Sequence, residues 1–386
     1  MIKKIAILGS TGSIGQTTCE IIKKNKKDFK VILLSTNNNI SKIYKQALLF
    51  NVKNLIIKNK LKYFKYQKKF ERKKIKVFFN DDDLDKIFKK KIDYTMCSVS
   101  GLAGLKSTLK AIEFSKTVGI ANKESIVCAW NLISKKLKQY NTNFIPIDSE
   151  HFSIWTLLQN TKISSVNEII ITASGGPFLN TSMRQLSKIK LKEALNHPVW
   201  SMGKKISIDS ATMMNKIFEI IEAQKIFNLD IKKFKILIHP NSYIHSIVKF
   251  NNGIIKILAH DTDMKIPIIN SIYNNNKIIK TKINLKNLNN LELSKPDIIK
   301  FPSIKLLKYL NNNNSMFETI LTASNDQLVD YFIQNKIKYL DINKYLNKII
   351  NLNEFKPYFK KKPKDVNQII KLSTYVKLKT KLICDR

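Results

Sequence analysis

Four carboxylates stand at spacings that would let them share a cation. Asp148 and Glu150 lie two residues apart at the end of a predicted strand, where residues i and i+2 point the same way. Glu219 and Glu222 lie three residues apart on a predicted helix and share a face. Hard oxygen ligands without a neighbouring cysteine favour Mg²⁺ or Mn²⁺. On spacing alone, a solvated acidic turn beside an ordinary helix face explains the pattern equally well.

Small hydrogen-bond donors follow two further predicted elements. A Ser-Gly-Gly motif that begins at Ser174 closes a strand, and Ser210 precedes a predicted helix that contains Asn215 and Lys216. Hydroxyls, amides and one lysine at a helix start suit a phosphate monoester. An ordinary N-cap at Ser210 is an equally good interpretation.

Residues 197–203 (HPVWSMG) combine histidine, aromatic, methionine and glycine residues between two polar segments. This mixture predicts either a mobile lid over a ligand or a buried loop. Residues 239–245 follow another predicted strand, and a lone histidine there is more often structural than catalytic.

A glycine-rich loop follows the first predicted strand. Gly9, Gly12 and Gly15 stand between an apolar strand over 2–8 and a helix over 16–24, which is the context of a dinucleotide fingerprint. The spacing is GxxGxxG rather than GxGxxG, so a plain strand-turn-helix corner is the alternative. The second strand, 30–34, is followed by residues 37–39, which are all asparagine. Because no acidic residue is there to bind a ribose hydroxyl, the loop favours NADP over NAD.

The elements that would position these residues alternate along the chain. Short apolar runs and helical segments up to about residue 140 predict a doubly wound parallel sheet. Beyond it, strands over 144–148, 168–173, 206–210, 235–238, 246–250 and 254–258, with helices over 153–158 and 212–227, predict a second α/β domain around one mostly buried sheet. We predict domains over 1–140 and 141–273, a linker over 274–299, and a small helical domain over 300–386.

The net charge of +39, from 68 basic and 29 acidic residues, would ordinarily suggest a nucleic acid partner. Only three of the basic residues are arginine, and the lysines are spread along the whole chain. We therefore interpret the charge as compositional and expect no nucleic acid partner.

The four cysteines are far apart, which favours a reducing cytoplasm over a disulfide framework. The apolar runs are too short for a membrane span.

Seven strings together resemble the 1-deoxy-D-xylulose 5-phosphate reductoisomerase family of the non-mevalonate isoprenoid pathway. They occur in the family's order and spacing and span residues 1 to about 270. The strings are 9–15 (GSTGSIG), 121–125 (ANKES), 148–151 (DSEH), 174–178 (SGGPF), 197–203 (HPVWSMG), 209–216 (DSATMMNK) and 239–246 (HPNSYIHS). The stretch 323–326 resembles the family's helical domain only loosely.

The resemblance implies an α/β enzyme with an N-terminal Rossmann-like NADP-binding domain, a central α/β catalytic and dimerisation domain, and a C-terminal helical domain. It implies rearrangement and reduction of 1-deoxy-D-xylulose 5-phosphate to 2-C-methyl-D-erythritol 4-phosphate by a homodimer, which the cysteine usage would place in the cytoplasm. The cofactors would be NADPH and a divalent metal, either Mn²⁺, Mg²⁺ or Co²⁺, and the substrate a sugar phosphate.

The resemblance also assigns roles to individual residues. The catalytic positions are Lys123, Asp148, Glu150, Glu219 and His197, of which Asp148, Glu150 and Glu219 are the metal ligands. The substrate-binding positions are Ser149, Glu150, Ser174, His197, Ser210, Asn215, Lys216 and Glu219. The cofactor-binding positions are Thr11, Gly12, Ser13, Ile14, Asn38, Asn122, Glu124 and Gly203. The lid contains His197, Trp200 and Met202, and further active-site matches are Ser242, His245 and Met264.

Two positions depart from the family pattern. Residues 37–39 replace a Gly-Lys-Asn-like turn, so the lysine that would contact a 2′-phosphate is absent, and Asn196 replaces an arginine beside the lid.

Two rival functions are less well supported by the sequence. A semialdehyde dehydrogenase needs an activated thiol, and neither Cys97 nor Cys128 has activating neighbours in the sequence. A basic nucleic-acid binder would leave the acidic cluster unexplained.

Overall fold

The computed structural model describes residues 2–275, 277–278 and 285–385. The chain forms two compact units. The first unit contains Met1–Ser125, Leu132–Phe152 and Asp263–Lys280, and the second contains Ile126–Asn131, Ser153–Thr262 and Thr281–Arg386. The predicted linker over 274–299 falls partly on residues 276 and 279–284, which lie outside the described residues. The predicted domain boundaries stay a prediction.

Strands and helices alternate through the first half of the chain, and helices predominate after residue 259. The bounds of all described elements are as follows. The strands are β1 (Lys3–Leu8), β2 (Phe29–Thr36), β3 (Asn54–Ile57), β4 (Lys76–Phe78), β5 (Ile92–Cys97), β6 (Ser115–Ile120), β7 (Asn143–Pro146), β8 (Val166–Ala173), β9 (Phe234–Ile238), β10 (Ile244–Phe250) and β11 (Ile255–Ala259). The α-helices are α1 (Ser13–Lys24), α2 (Ile40–Leu49), α3 (Lys60–Glu71), α4 (Leu84–Ile87), α5 (Ala103–Glu113), α6 (Lys123–Gln139), α7 (Ser149–Leu157), α8 (Met183–Leu186), α9 (Leu191–Leu195), α10 (Lys204–Ala211), α11 (Met214–Phe227), α12 (Lys265–Tyr273), α13 (Leu285–Asn289), α14 (Phe317–Ile333), α15 (Tyr339–Ile350) and α16 (Val366–Cys384). Short 3-10 helices cover Lys26–Asp28, Asp81–Asp83, Ile163–Ser165, Ile231–Lys233, Pro302–Tyr309 and Asn353–Phe359.

The first unit is built on a parallel seven-stranded sheet in the order β4-β3-β2-β1-β5-β6-β7. The apolar runs of the inner strands are fully buried, which is typical of a parallel sheet covered on both faces. The strand order reverses between β1 and β5, and ligands of such sheets bind outside the carboxyl ends at this point. The predicted doubly wound sheet is therefore confirmed.

One strand lies in a different sheet from the one we predicted. We expected the strand over 144–148 in the second domain, but β7 pairs in parallel with β6 and forms the edge of the first sheet. The physical reason is that four residues of apolar chain pair equally well with any exposed neighbouring edge, which local sequence does not specify.

The second unit contains a four-stranded mixed sheet in the order β11-β10-β8-β9. β8 pairs in parallel with β9, whereas β10 is antiparallel to both β8 and β11. The helices α14, α15 and α16 pack together, and α14 also contacts α10. The α/β class with a helical C-terminal region is confirmed. The predicted mostly buried sheet holds only in part, because the edge strand β11 is largely exposed.

Two further expectations in the second unit were wrong. Residues 206–210 alternate apolar and polar side chains and were expected to form a strand, but they belong to α10. The unit buries Ser207, Ile208 and Ala211, a helical spacing that overrides the short alternation. In consequence Ser210 lies near the end of α10 and not at the start of the next helix. α11 begins at Met214 because Met213 is left-handed, with φ of 63°.

Among the described residues, no helix is both long and apolar enough to cross a membrane.

Candidate active site

The glycine loop of the first unit opens onto the start of α1. Gly9 has φ of 83°, and a Cβ there would lie 2.7 Å from the carbonyl oxygen of Ser98, so the loop tolerates only glycine at this point. The amide of Ser10 donates to the carbonyl of Ser35 at 2.9 Å, which joins the loop to β2. No side chain caps α1, which leaves its first amides to a ligand such as a pyrophosphate. The loop thus fits a dinucleotide.

The predicted cofactor residues of the first unit lie around that loop. The hydroxyls of Thr11 and Thr36 are 2.7 Å apart, so the loop also touches the end of β2 beside Asn38. Asn122 caps α6 by accepting from the amide of Ser125 at 2.5 Å. Glu124 accepts from the amide of Gly101 at 3.3 Å. Gly12, Ser13 and Ile14 form the N-cap and first turn of α1.

Asp148 and Glu150 stand at the start of α7. We expected an extended segment, but α7 begins at Ser149, so Asp148 precedes the helix and Glu150 occupies its first turn. The amides of Glu150 and His151 donate to Asp148 Oδ1 at 3.1 and 3.3 Å. Ser149 donates to Glu150 Oε2 at 2.5 Å. The helix N-terminus stabilises both negative charges. The backbone is therefore helical and not extended, but the two carboxylates still lie together as expected.

Lys123 extends this cluster from the first turn of α6. Its Nζ lies 3.0 Å from Asp148 Oδ2, and both side chains are partly buried. The first unit therefore brings Lys123, Asp148, Ser149 and Glu150 together.

Ser174 and His197 form the centre of the site in the second unit. The oxygen Oγ of Ser174 lies 3.0 Å from His197 Nε2 and accepts from the amide of Gly176 at 3.0 Å. The amides of Val199 and Trp200 donate to His197 Nδ1 at 3.2 and 2.9 Å, so Nε2 carries the ring proton. Since Ser174 accepts twice, its own hydroxyl proton can be donated to a ligand.

Burial, and to a lesser extent the charge of Lys216, lower the pKa of His197 from 6.5 to about 4. The imidazole is therefore neutral near pH 7. This influence also shows that Lys216 lies within electrostatic range of His197.

The first turns of α11 hold the other charged group of this unit. Lys216 Nζ lies 2.6 Å from Glu219 Oε2, and Asn215 donates to Glu219 Oε1. Lys216 and Glu219 are both buried. Gly176 has φ of 66°, and a Cβ there would lie 3.0 Å from the carbonyl oxygen of Ser210, so the Ser174 turn packs against the end of α10. Ser174, Ser210, Asn215 and Lys216 thus belong to one polar region.

Two residues of the C-terminal helices position this region, and sequence reasoning missed both. Asn325 on α14 donates to the buried Asp209 at 2.7 Å, next to Ser210. Tyr339 on α15 donates to the carbonyl of Ala211 at 2.6 Å. The loose family resemblance at 323–326 was the one available signal for Asn325.

The predicted lid lies along the same unit. Trp200 packs edge-on against His245, with ring centroids 6.0 Å apart, and His245 stacks on His260 at 3.8 Å. Met202 is partly buried, whereas Gly203 and Asn196 are exposed. Of the additional matches, Ser242 is buried with φ of 49°. Met264 caps α12 in the first unit.

The thiols do not offer a nucleophile. Burial raises the pKa of Cys97 and of Cys128 to about 12. Because the thiolate is the reactive form, neither group suits the chemistry of a semialdehyde dehydrogenase.

The chain is similar to known proteins along its whole length. Three family models match. The model of 1-deoxy-D-xylulose 5-phosphate reductoisomerase matches residues 5–130. Two models of reductoisomerase C-terminal domains follow: the 1-deoxy-D-xylulose 5-phosphate reductoisomerase C-terminal domain matches 144–227, and the DXP reductoisomerase C-terminal domain matches 260–378. The reductoisomerase of Pelagibacter ubique (strain HTCC1062) is 56% identical over 381 residues, which is 98% of each chain. That of Clostridium novyi (strain NT) is 37% identical over 381 residues, 97% of each chain.

Two solved structures resemble the fold closely. The Zymomonas mobilis reductoisomerase in complex with NADPH has a TM-score of 0.88 and 31% identity, covering 100% of this chain and 99% of the other. A DOX-P reductoisomerase in complex with NADPH, fosmidomycin and magnesium has a TM-score of 0.92 and 30% identity, covering 100% and 98%.

Proposed function

The chain belongs to the 1-deoxy-D-xylulose 5-phosphate reductoisomerase family, and from that premise we propose how its own residues carry the reaction. It is an NADP-dependent oxidoreductase that converts 1-deoxy-D-xylulose 5-phosphate to 2-C-methyl-D-erythritol 4-phosphate in non-mevalonate isoprenoid precursor biosynthesis. The reaction depends on NADPH and on a divalent metal such as Mg²⁺. The observation that carries our proposal is the Ser174 hydroxyl, whose two acceptor positions are filled and whose proton is therefore available to a phosphate.

We propose that Asp148, Glu150 and Glu219 are the metal ligands. All three are hard oxygen donors, the ligands that Mg²⁺ and Mn²⁺ prefer, and Co²⁺ is a third candidate. Glu150 and Glu219 are only 8% and 1% exposed, and buried carboxylates are stabilised by cations, of which Lys216, 2.6 Å from Glu219, is one. A bound ion would supply a Lewis acid for negative charge that develops on the substrate oxygen.

Lys123 is the residue that we propose as the proton donor near this metal. Its Nζ is 3.0 Å from Asp148 Oδ2, so its ammonium group, which can donate a proton, stands directly beside a proposed metal ligand. His197 is a poorer acid, because its imidazole is neutral and its Nε2 proton is donated to Ser174. We propose that Ser149, next to the carboxylates, also contacts the substrate.

The substrate phosphate occupies the polar region of the second unit in our proposal. Ser174, Ser210 and Asn215 donate hydrogen bonds to its oxygens, and Lys216 supplies positive charge. His197 orients Ser174 and borders the same group. Binding energy from the phosphate, which is remote from the reacting carbons, helps to hold them in position.

The lid over 197–203 excludes water from the reacting carbons. His197 joins the lid to the phosphate site, since it accepts from Val199 and Trp200 on one side and donates to Ser174 on the other. Trp200 and Met202 supply the apolar cover. A dry site strengthens each electrostatic contact made within it.

NADPH supplies the hydride when it is bound, and the chain's task is to hold it. We propose that the amides of Thr11, Gly12, Ser13 and Ile14 cradle its phosphates at the uncapped start of α1. Asn122, Glu124 and Gly203 contact the rest of the cofactor, and Asn38 lies at the adenosine end.

We further propose a cytoplasmic homodimer. β11 is an edge strand whose Ile255 and Ile257 are 57% and 49% exposed, and an apolar edge is a ready template for pairing with a second copy. Residues 141–273 would then contribute both catalysis and dimerisation, with 1–140 as the cofactor domain and 300–386 as the helical domain. All four cysteines are free thiols, as a reducing compartment allows.

The test is NADPH oxidation with 1-deoxy-D-xylulose 5-phosphate, measured with Mg²⁺, Mn²⁺ or Co²⁺ and with EDTA. We expect turnover only with metal, and a much higher KM for 1-deoxy-D-xylulose, which lacks the phosphate. A folded sample without metal-dependent turnover would overturn the proposed function.

A further inference from the structure

The loop after β2 carries no cation of its own. Asn37, Asn38 and Asn39 are exposed and end the strand next to the glycine loop, where the adenosine ribose of a dinucleotide binds. A 2′-phosphate at that ribose is a dianion and is best bound by charged N–H donors. The charge must therefore come from another element of the first unit.

The connection between β3 and α3 lies directly against this loop. The amide of Lys58 donates to the carbonyl of Thr36 at 3.0 Å, and the side-chain amide of Asn59 donates to Asn38 Oδ1 at 2.9 Å. Asn59 also caps α3 by accepting from the amide of Lys62 at 3.0 Å. These bonds fix the first turn of α3 beside the asparagines.

Lys62 reaches from that turn to the loop. Its Nζ donates to the carbonyl oxygen of Asn38 at 2.7 Å, although the two residues are 24 positions apart in sequence. The contact uses one of three ammonium hydrogen atoms, and the side chain is only partly buried, so two hydrogen atoms are left for an anion.

Two other lysines lie near the loop after β2, but their ammonium groups contact other side chains. Lys58 forms an ion pair with the buried Asp81, which neutralises its charge. Lys42 donates to Gln16 Oε1 on α1 at 2.7 Å, on the side of the glycine loop. Among the described residues, Lys62 has no carboxylate within ion-pair distance.

We propose that Lys62 of α3 binds the 2′-phosphate of NADPH, together with the side chains of Asn38 and Asn59, and so sets the preference for NADPH over NADH. This inference rests on the proposed function. The positive charge at this ribose thus comes from helix α3 and not from the loop after β2. NADH lacks the phosphate, so Lys62 affects the binding of NADPH alone.

The test measures binding, not turnover. Full-length wild type and Lys62→Met are titrated with NADPH and NADH by nicotinamide fluorescence, and with adenosine 2′,5′-bisphosphate and adenosine 5′-monophosphate by calorimetry. A charged hydrogen bond predicts that Lys62→Met weakens NADPH and the bisphosphate at least about tenfold. NADH and the monophosphate should bind as in wild type, and Lys62→Arg should restore most of the affinity.

Lys69→Met is the matched control, because it removes the same charge about 10 Å further along the same helix. It should leave all four affinities unchanged. Equal losses for NADPH and NADH in Lys62→Met, or a selective loss in Lys42→Met and not in Lys62→Met, would overturn the inference. Neither result would affect the metal-dependent turnover of wild type, which tests the proposed function separately.

Discussion

His197 donates from Nε2 to the hydroxyl oxygen of Ser174 at 3.0 Å, while its Nδ1 accepts from the amides of Val199 and Trp200. The ring is thus fixed in one neutral tautomer, between the lid backbone and a serine that we assign to phosphate binding. A movement of the lid would shift the ring and with it the serine. This coupling gives the lid and the phosphate site a shared hydrogen-bond network.

The depressed pKa of His197 predicts a specific pH dependence of stability. The pKa is 6.5 in the unfolded chain and about 4 in the folded chain, so between these values the unfolded chain binds more protons. The stability contributed by the neutral ring is complete above pH 6.5 and is lost as the pH falls towards 4. The free energy of unfolding should therefore decrease more between pH 7 and about 5 in wild type than in His197→Gln. Urea denaturation at both pH values measures this, and parallel decreases would contradict it.

Glu219→Gln should abolish most of the activity. The change removes a proposed metal-binding charge, and we expect kcat/KM to fall by at least about a hundredfold. Because Lys216 loses its partner at 2.6 Å, circular dichroism must confirm folding. Calorimetric Mn²⁺ titration gives a readout independent of turnover and should show weakened binding. Glu71→Gln, on the exposed face of α3, is the control, and near-normal activity of Glu219→Gln would refute the ligand assignment.

Gly176→Ala and Gly253→Ala separate backbone strain from site geometry. Both glycines have positive φ, 66° and 85°, so each alanine should lower stability by about 1–2 kcal/mol. A Cβ at residue 176 would lie 3.0 Å from the Ser210 carbonyl, whereas nothing lies within 4 Å of one at residue 253. Only Gly176→Ala should raise the KM for the sugar phosphate. An equal rise in both variants would argue against a phosphate site at this turn.

Ile257→Glu tests the proposed dimer. A carboxylate on the exposed edge of β11 would be desolvated by a second copy, so the variant should be monomeric in light scattering coupled to size exclusion. Leu61→Glu changes a residue of α3 that is 82% exposed and should leave the oligomeric state of wild type intact. A dimeric Ile257→Glu protein would place the interface elsewhere.

Much of the fold is predictable where a local pattern is strong. The strand expected over 168–173 is β8 (Val166–Ala173), and the glycine loop lies between β1 and α1 as expected. The prediction failed at α10, where five alternating residues resemble a strand, and at α7, where the segment expected to be extended is a helical turn. A hydrophobic pattern of about five residues does not distinguish a strand from a helix, because burial against residues distant in sequence decides between them.

The chemical groups of this protein can be read from its amino-acid sequence: the carboxylates, hydroxyls and glycines, their order along the chain, and the family they resemble. Tertiary structure alone decided how those groups are held. It placed Asn325 on Asp209, 116 positions away, brought Lys62 to Asn38, and fixed the neutral tautomer of His197. The reason is that side-chain type and local spacing are encoded residue by residue, whereas burial, protonation and long-range hydrogen bonds depend on the packing of elements far apart in sequence.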